Sequence, residues 1–439
     1  MANEILYSKA IPVTHEADVF VAGGGPAGVA AAVYAARMGK KVYLVEASGS
    51  FGGAATTMLI PAFMQFSSGD IFLAEGIGRE VHTYLKTKSP ECYSRYCPNS
   101  IPVEILKLCY DEMMTESGAS FSFFTSVLDV IVRDGKIDAV ICSSKQGIFA
   151  VKAKMYIDCT GDGDLSYLAG AECRKGDDET GEMMAATLCA LWEGTDFSRA
   201  TQPQRAFLED AFRDNVFTNI DRHLPGMWRI KDGVTGSNVG HIYDVDGTDS
   251  DSMTSAMVAS RKQLREYRKY YRDYLDGYEN MELVISAQQI GIRESRRVMG
   301  EYVMTLDDFR NRASFDDEIG RYCYNIDIHS GKNTDEGYQK FAKDHETFRY
   351  AAGESYGIPY RMLVVRGFDN LLAAGRCVST DRYMQSSLRV MPGCYITGQA
   401  AGAAAAIASE VGCAARDIDV ARLQKQLKSM GAYLPNCED

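Results

Sequence analysis

The apolar positions of the chain fall into three successive patterns. Near the start a short run at residues 17–22, apolar and unbroken after Asp18, leads into a glycine cluster, an alanine-rich stretch at 27–38, and a second short run at 41–46 with an apolar interior. Unbroken apolar runs of this length predict strands covered on both faces, and the strand–helix–strand order predicts the opening unit of a doubly wound parallel sheet. Apolar residues then recur at helical spacing in 76–86 and 102–116, where Ile105, Leu108 and Met113 are expected to face the sheet. From 120 to 158 the period shortens to β-branched runs, FSFFTSVLDVIVRD, KIDAVICSS and IFAVKAKMYID, broken at Asp134-Gly135 and Gln146-Gly147. That is a β-meander ending on a strand.

Residues 175–345 lose the alternation and become charged, aromatic and irregular; strand–glycine–helix grammar returns in NLLAAGRCV and PGCYITGQAAGAAAAIA. The expected organisation is an α/β Rossmann-type nucleotide-binding domain begun by residues 1–174 and completed by 346–439, with a mixed α+β cap at 175–345 inserted between. A chain of 439 residues suits two such intertwined domains. Within the cap, residues 261–274 alternate basic residues with tyrosines. Leu264, Tyr267, Tyr271 and Tyr274 share one helical face, which favours a buried aromatic stripe over a nucleic-acid surface.

Charge narrows the partners. The net charge is −12 and the pI about 5.2, with no clustered Lys and Arg, which argues against nucleic acid. No apolar stretch nears the roughly 20 residues that span a bilayer. The first residues lack a basic start, an apolar core and a cleavage site, so a cytoplasmic protein without membrane association is expected. Its 12 cysteines form no Cys-x-x-Cys pair, the nearest two in sequence being Cys92 and Cys97. Zinc, iron–sulfur and redox-disulfide chemistry are not signalled by that spacing, and no metal site is expected.

The sharpest motif is Gly23-x-Gly25-x-x-Gly28, placed after a strand and opening a helix. Gly23 permits the tight turn, Gly25 admits a pyrophosphate against the backbone, and Gly28 lets the helix lie close to the strand; Pro26 and Ala27 start that helix. Glu46, with Ala47 beyond it, ends the second strand 23 residues after Gly23, where a carboxylate accepts ribose hydroxyls. Both features predict a dinucleotide site without deciding which dinucleotide. No second Gly-x-Gly-x-x-Gly follows, so a built-in NAD(P)H domain is not expected.

Three further segments carry a resemblance. Gly52-Gly53-Ala54-Ala55-Thr56 resembles the loop that passes the flavin ring in FAD-dependent oxidoreductases. Thr160-Gly161-Asp162-Gly163-Asp164 and Leu372-Ala373-Ala374-Gly375-Arg376 resemble that family's later FAD-domain segments. With the strings GIRESRRVMGEY, YNIDIH, GIPYRML and NLLAAGRCVSTDRYMQSSLRVMPGCYITGQAAGAAAA, the chain is similar to the bacterial FAD-dependent oxidoreductase family related to fumarate reductase and succinate dehydrogenase flavoproteins. The likeness covers both ends well and the cap only in islands. It implies FAD as the cofactor, held by Gly23, Gly25, Pro26, Ala27, Gly28, Glu46, Ala47, Gly52, Gly53, Ala54, Thr56, Val127, Thr160, Gly161, Asp162, Gly375, Arg376, Pro392 and Gly393. Residues 52–57 offer no His, Cys or Tyr, so the link is expected to be non-covalent. The turn at 390–393 is expected to aim the following helix at the flavin, with Arg389 nearby.

A flavin carries the redox chemistry, leaving the protein to orient substrate and move protons. His329 is the first candidate for proton transfer, with Asp327 helping: in an extended run the two point to one side, and histidine titrates near neutrality. His223 and His241 stand in reserve. Arg293 and Arg296 or Arg297, read at helical spacing, share a side and suit either a carboxylate ligand or an ion-pair network. Tyr360, Arg361 and Arg389 complete the candidate catalytic residues, and Met64, Met384 and Met391 are candidate pocket liners. The expected activity is oxidation or reduction of a small polar metabolite at a CH–OH, CH–CH or C=C group, with a separate electron donor or acceptor; homo-oligomerisation stays open. A plain NAD(P) dehydrogenase, a flavoprotein monooxygenase and an FAD-holding electron-transfer subunit are the alternatives.

Overall fold

The computed structural model describes residues 5–93 and 99–437, so Cys97 lies outside the described residues. The first strand, Val13–Ala22, has its last four residues wholly buried and lies parallel between Val42–Val45 and Gly147–Asp158. Residues 120–122 form not the first arm of the meander but a separate parallel strand beside Val42–Val45. The meander proper is Ser126–Arg133, Lys136–Ser144 and Gly147–Asp158, antiparallel throughout. The long strand Gly147–Asp158 has the meander on its first half. On its second half it takes the late strand Leu371–Ala373, in parallel, with Ala373 opposite Asp158. Thus the C-terminal part of the chain completes the sheet, and the ends of the parallel strands gather at one edge, where such folds bind ligands.

The helix Pro26–Arg37 covers this sheet, and the C-terminal helix Met391–Val411 crosses it. The approach is close because both helices carry small residues at the crossing. A Cβ on Gly398 or Gly402 would come 2.2 Å from Ala27 O or Ala31 O. The helix Val103–Ser117 buries Leu106, Cys109, Tyr110, Met113 and Met114, whereas Leu108, expected inside, is 53% exposed. Its inward stripe is set one position off from the expected one.

The cap is an antiparallel sheet in the order Gly226–Lys231, Gly233–Asn238, Ala190–Thr195, Glu282–Ser286, with the helix Ser250–Tyr274 packed alongside. That helix buries Leu264, Tyr267, Tyr270 and Tyr271 with Trp192 and Phe217. Tyr270 takes the place expected of Tyr274, whose hydroxyl donates to Asp214. The aromatic stripe is therefore core. Residues 293–297 are not helical: Arg296–Val298 is a strand paired with Cys173–Lys175 at the base of the cap, so Arg293, Arg296 and Arg297 diverge instead of sharing a side. Among the described residues no helix is long and apolar enough to cross a membrane.

Candidate active site

One cleft of about 530 Å³ runs from the glycine turn to the cap. Backbone builds its first end. Gly23 turns at φ +92°, and a Cβ there would lie 2.6 Å from Cys159 O; on Gly28 it would lie 1.8 Å from Gly23 O. Gly25, which lines the cleft, has no atom within 4 Å of its Cβ position. Two of the three glycines therefore serve packing, and the middle one leaves space for a ligand. Glu46 lines the cleft with its carboxylate fixed by two backbone donors, Gly24 N at 2.7 Å and Ser48 N at 2.7 Å.

The loop after the second strand lies against this turn, Gly52 N donating to Gly24 O at 2.8 Å. Gly53 and Ala54 line the cleft, while Gly52, at φ +107°, and Thr56, donating to Phe51 O at 2.6 Å, shape the loop from behind. Asp158, fully buried, accepts from the Thr160 hydroxyl (2.8 Å) and Ser166 N (2.8 Å) and thereby sets the loop that presents Thr160, Gly161 and Asp162. Asp162 pairs with Arg376 at 2.8 Å. Pro26, Ala27, Ala47, Val127 and Gly375 also line the cleft. From the start of the helix Met391–Val411, Val390, Met391 and Cys394 reach it. Pro392 and Gly393 do not; Gly393 packs on Leu388 O, which a Cβ would approach to 2.5 Å.

The far end is made of side chains. Arg293, Tyr324, Asp327, His329 and Arg389 line it, with Trp228 from the cap sheet. Asp327 and His329 do lie on one side of an extended segment, His329 Nε2 being 3.2 Å from Asp327 Oδ1. Arg389 Nη2 donates to Asp327 Oδ2 at 3.1 Å and the Tyr324 hydroxyl donates to the same oxygen at 3.3 Å. Burial opposes the charge on Asp327, but His329, Arg389 and Arg293 outweigh it and hold the carboxyl below its ordinary range. Burial and then Arg293 push His329 well below its usual value against the pull of Asp327, so its ring is neutral at neutral pH. Arg293 donates to Ala185 O (2.7 Å) and Thr187 Oγ1 (3.0 Å); burial and then Arg389 lower its pKa.

Several candidates lie elsewhere. The Tyr360 hydroxyl is buried, donating to Ala415 O at 2.7 Å, and Arg361 pairs with Asp317 at 2.9 Å, so neither lines the cleft. Their place just before the return to the sheet suggested a domain boundary, but there Tyr360 turns into the core and Arg361 out to solvent beside Asp317. Arg297 is buried against Glu294 (2.8 Å) and Arg296 pairs with Asp164 (2.8 Å). Met64 and Met391 line the cleft, whereas Met384 is core.

A family model described as FAD dependent oxidoreductase matches residues 18–427. The chain belongs to this family. It is a FAD-dependent enzyme, and the first end of the cleft suits that cofactor on its own terms: the open face of Gly25 is room for a pyrophosphate that any side chain would fill, and Glu46 offers a cleft-lining carboxylate that would suit a ribose. Among curated proteins no sequence matches this FAD-dependent oxidoreductase. Among solved structures it is similar to a geranylgeranyl bacteriochlorophyll reductase-like protein from Thermoplasma acidophilum. The identity is 13% and the TM-score 0.45, over 95% of this chain and 83% of that one. It is also similar to a flavin-dependent brominase, at 12% identity and TM-score 0.47 over 94% and 83% of the two chains. A p-nitrophenol 4-monooxygenase from Pseudomonas putida matches at 11% identity and TM-score 0.46 over 95% and 84%.

Sequence reasoning missed Trp228, Thr187, Asn238 and Gln289, which reach this oxidoreductase's cleft from the cap. No motif marks them, because each is delivered by cap topology. Asp221 was missed too, although Asp221-x-His223 repeats the spacing of Asp327-x-His329. That repeat was the available signal.

Proposed function

We propose that the enzyme oxidises or reduces a small, anionic or oxygen-rich metabolite at a CH–OH, CH–CH or C=C group in the cap end of the cleft. One observation carries the reading. The cleft that begins at the dinucleotide turn ends on two arginines, Arg293 and Arg389, facing a single carboxylate, Asp327. One positive charge is in excess there. Arg389 Nε is buried without a partner, so a donor is free for a substrate carboxylate or developing oxyanion.

Bound FAD supplies the hydride acceptor or donor. Arg389 and Arg293 orient the substrate, and the Asp327–His329 pair handles its proton, with Tyr324 and Arg389 fixing Asp327. Trp228, Ile60 and Met64 give the cleft apolar walls that keep water from the transfer. A separate donor or acceptor completes the turnover. Kinship with fumarate reductase flavoproteins belongs to this proposal, as does non-covalent retention of FAD.

The test is anaerobic: the yellow protein is mixed with hydroxy acids, polyols and sugars, and the dithionite-reduced protein with unsaturated acids, while flavin absorbance is followed. Rapid bleaching or recolouring by at least one carboxylate-bearing compound, slowed in Arg389→Ala, is expected. Turnover that instead needs NADPH and oxygen and yields a hydroxylated product would replace this reading with a monooxygenase.

A further inference from the structure

Behind the wall formed by Asp327 and His329, three histidines from separate segments meet. His223 Nδ1 is 3.0 Å from Asp221 Oδ1, His241 Nδ1 is 2.7 Å from Asp221 Oδ2, and His329 Nε2 is 3.2 Å from Asp327 Oδ1. Each ring thus faces a carboxylate with one nitrogen. A carboxylate only accepts, so that nitrogen bears the proton, and a neutral imidazole has no second one. The remaining nitrogens are Nε2 of His223, Nε2 of His241 and Nδ1 of His329; the last two are 2.9 Å apart, and one nitrogen from each ring lies within 4.8 Å of one from each of the others. His223 Nε2 is buried without a partner.

Three converging lone pairs repel unless a cation lies between them. A proton is one answer for His241 and His329, 2.9 Å apart, but it leaves His223 Nε2 buried without a partner. A metal ion is the other, and the surroundings are built for it. Ligating histidines characteristically donate their second N–H to a carboxylate; His223 and His241 do so to Asp221, and His329 Nε2 lies 3.2 Å from Asp327 Oδ1. Asp221 is itself pinned by His223 N (3.0 Å) and His241 N (2.9 Å). Nitrogens about 2.0–2.1 Å from a tetrahedral ion stand roughly 3.3 Å apart, a little more than the 2.9 Å between His241 and His329 and inside the 4.8 Å that bounds all three. Asp221 brings a negative charge to the ion, while that of Asp327 is shared with Arg389, and Arg293 is a second cation nearby.

We propose that His223, His241 and His329 bind a divalent first-row transition ion, zinc or a close analogue, with Asp221 and Asp327 orienting the ligands. The inference stands on the imidazole geometry and not on the substrate reading. The ion ties the loop before the strand Gly226–Lys231, the segment after Gly233–Asn238 and the run at 324–329 into one wall of the cleft. In this arrangement Asp327 is the member of the Asp327–His329 pair left facing the substrate side, with His329 holding it in place.

The yellow holoenzyme, stripped with chelator and dialysed, is incubated with Zn²⁺ or Co²⁺ and freed of excess ion, and metal is counted by mass spectrometry. About one ion per chain is expected. X-ray absorption of the zinc form should show nitrogen neighbours with imidazole outer-shell scattering and no sulfur. His223→Ala should lose the ion and keep its flavin, and Asp221→Asn should weaken binding by about 10- to 100-fold. Should either variant lose its flavin, the absorption spectrum of the wild type decides alone. Less than about a tenth of an ion per chain, a sulfur neighbour, or undiminished binding in a yellow His223→Ala protein would overturn the site.

Discussion

The two ends of the cleft are made of different materials. At the glycine turn the ligand-facing atoms are mostly backbone, and side chains matter chiefly by their absence at Gly23, Gly25 and Gly28. At the cap end the backbone is scaffolding, and Arg293, Asp327, His329 and Arg389 project from three separated stretches of chain. Backbone recognition needs a local turn and is written in consecutive residues. Side-chain recognition needs distant segments to converge and is written nowhere in particular. The first end should therefore fail through sterics and the second through chemistry.

The largest effects test the sterics, and neighbouring glycines should behave oppositely. Gly28→Val places carbon where Gly23 O already sits, 1.8 Å from the first added atom, so helix and strand must part. Insoluble or unfolded protein is expected. Gly25→Val meets nothing within 4 Å and should fold with an unchanged circular dichroism spectrum, yet purify colourless, because the new side chain occupies pyrophosphate space. A yellow Gly25→Val protein would remove the dinucleotide from this turn.

At the other end the loss should be of rate and not of colour. Arg389→Ala, and His329→Ala, which takes away the partner that holds Asp327 in place, are expected to keep the flavin and slow its reduction by substrate about 10²- to 10⁴-fold, the range of a lost charge-stabilising or proton-transfer group. Arg389→Lys should recover only part of the rate, since one ammonium cannot reach Asp327 Oδ2 and Asp327 O while also offering a free donor as the guanidinium does. Stopped-flow measurement of flavin bleaching separates these outcomes from loss of cofactor.

How far the sequence could be read follows the same division. The first strand, the Gly-x-Gly-x-x-Gly turn, Glu46 and the completion of the sheet by residues 371–373 were all legible, because each depends on spacing within a few residues or on a familiar succession of elements. Asp327 and His329 were legible as a pair because an extended run puts alternate residues on one side. Tyr360 and Arg361 misled because adjacency to a domain boundary says nothing about which way a side chain packs; the Tyr360 hydroxyl turns inward to Ala415 O. The cluster at residues 293–297 misled through its period, since its four charged residues leave an irregular segment in different directions. The His223–His241–His329 meeting was invisible, as its members lie up to 106 residues apart in sequence.

An intermediate effect comes from the joint between the two ends. Glu294, 1% exposed, bonds Arg297 Nη1 at 2.8 Å, Arg382 Nε at 3.0 Å and Met184 N at 3.0 Å, linking the cap's base to the stretch that leads to Arg389. Removing one partner of a buried pair costs about 3–5 kcal/mol, because the charges left behind stay out of water. Glu294→Ala should lower Tm by several degrees, and Glu294→Gln, which keeps the shape and part of the bonding, by less. Equal losses would mean that packing and not charge holds the joint.

The smallest effect probes the side chain that braces the glycine turn. Glu46 accepts Gly24 N on one oxygen and Ser48 N on the other, so its carboxylate braces the turn while keeping lone pairs for a ribose. Glu46→Gln replaces one acceptor by an NH₂ group that must face a backbone N–H, leaving that donor unmet at a cost of about 1–3 kcal/mol. Part of this cost falls on folding and part on the cofactor, and the two can be separated. The deflavinated protein should show a modest drop in Tm, and a fluorescence titration should show FAD binding about tenfold weaker, with the spectrum of the bound flavin unchanged. A lowered Tm with unaltered FAD affinity would make Glu46 a brace alone and return ribose recognition to the backbone, making the contrast between the two ends complete.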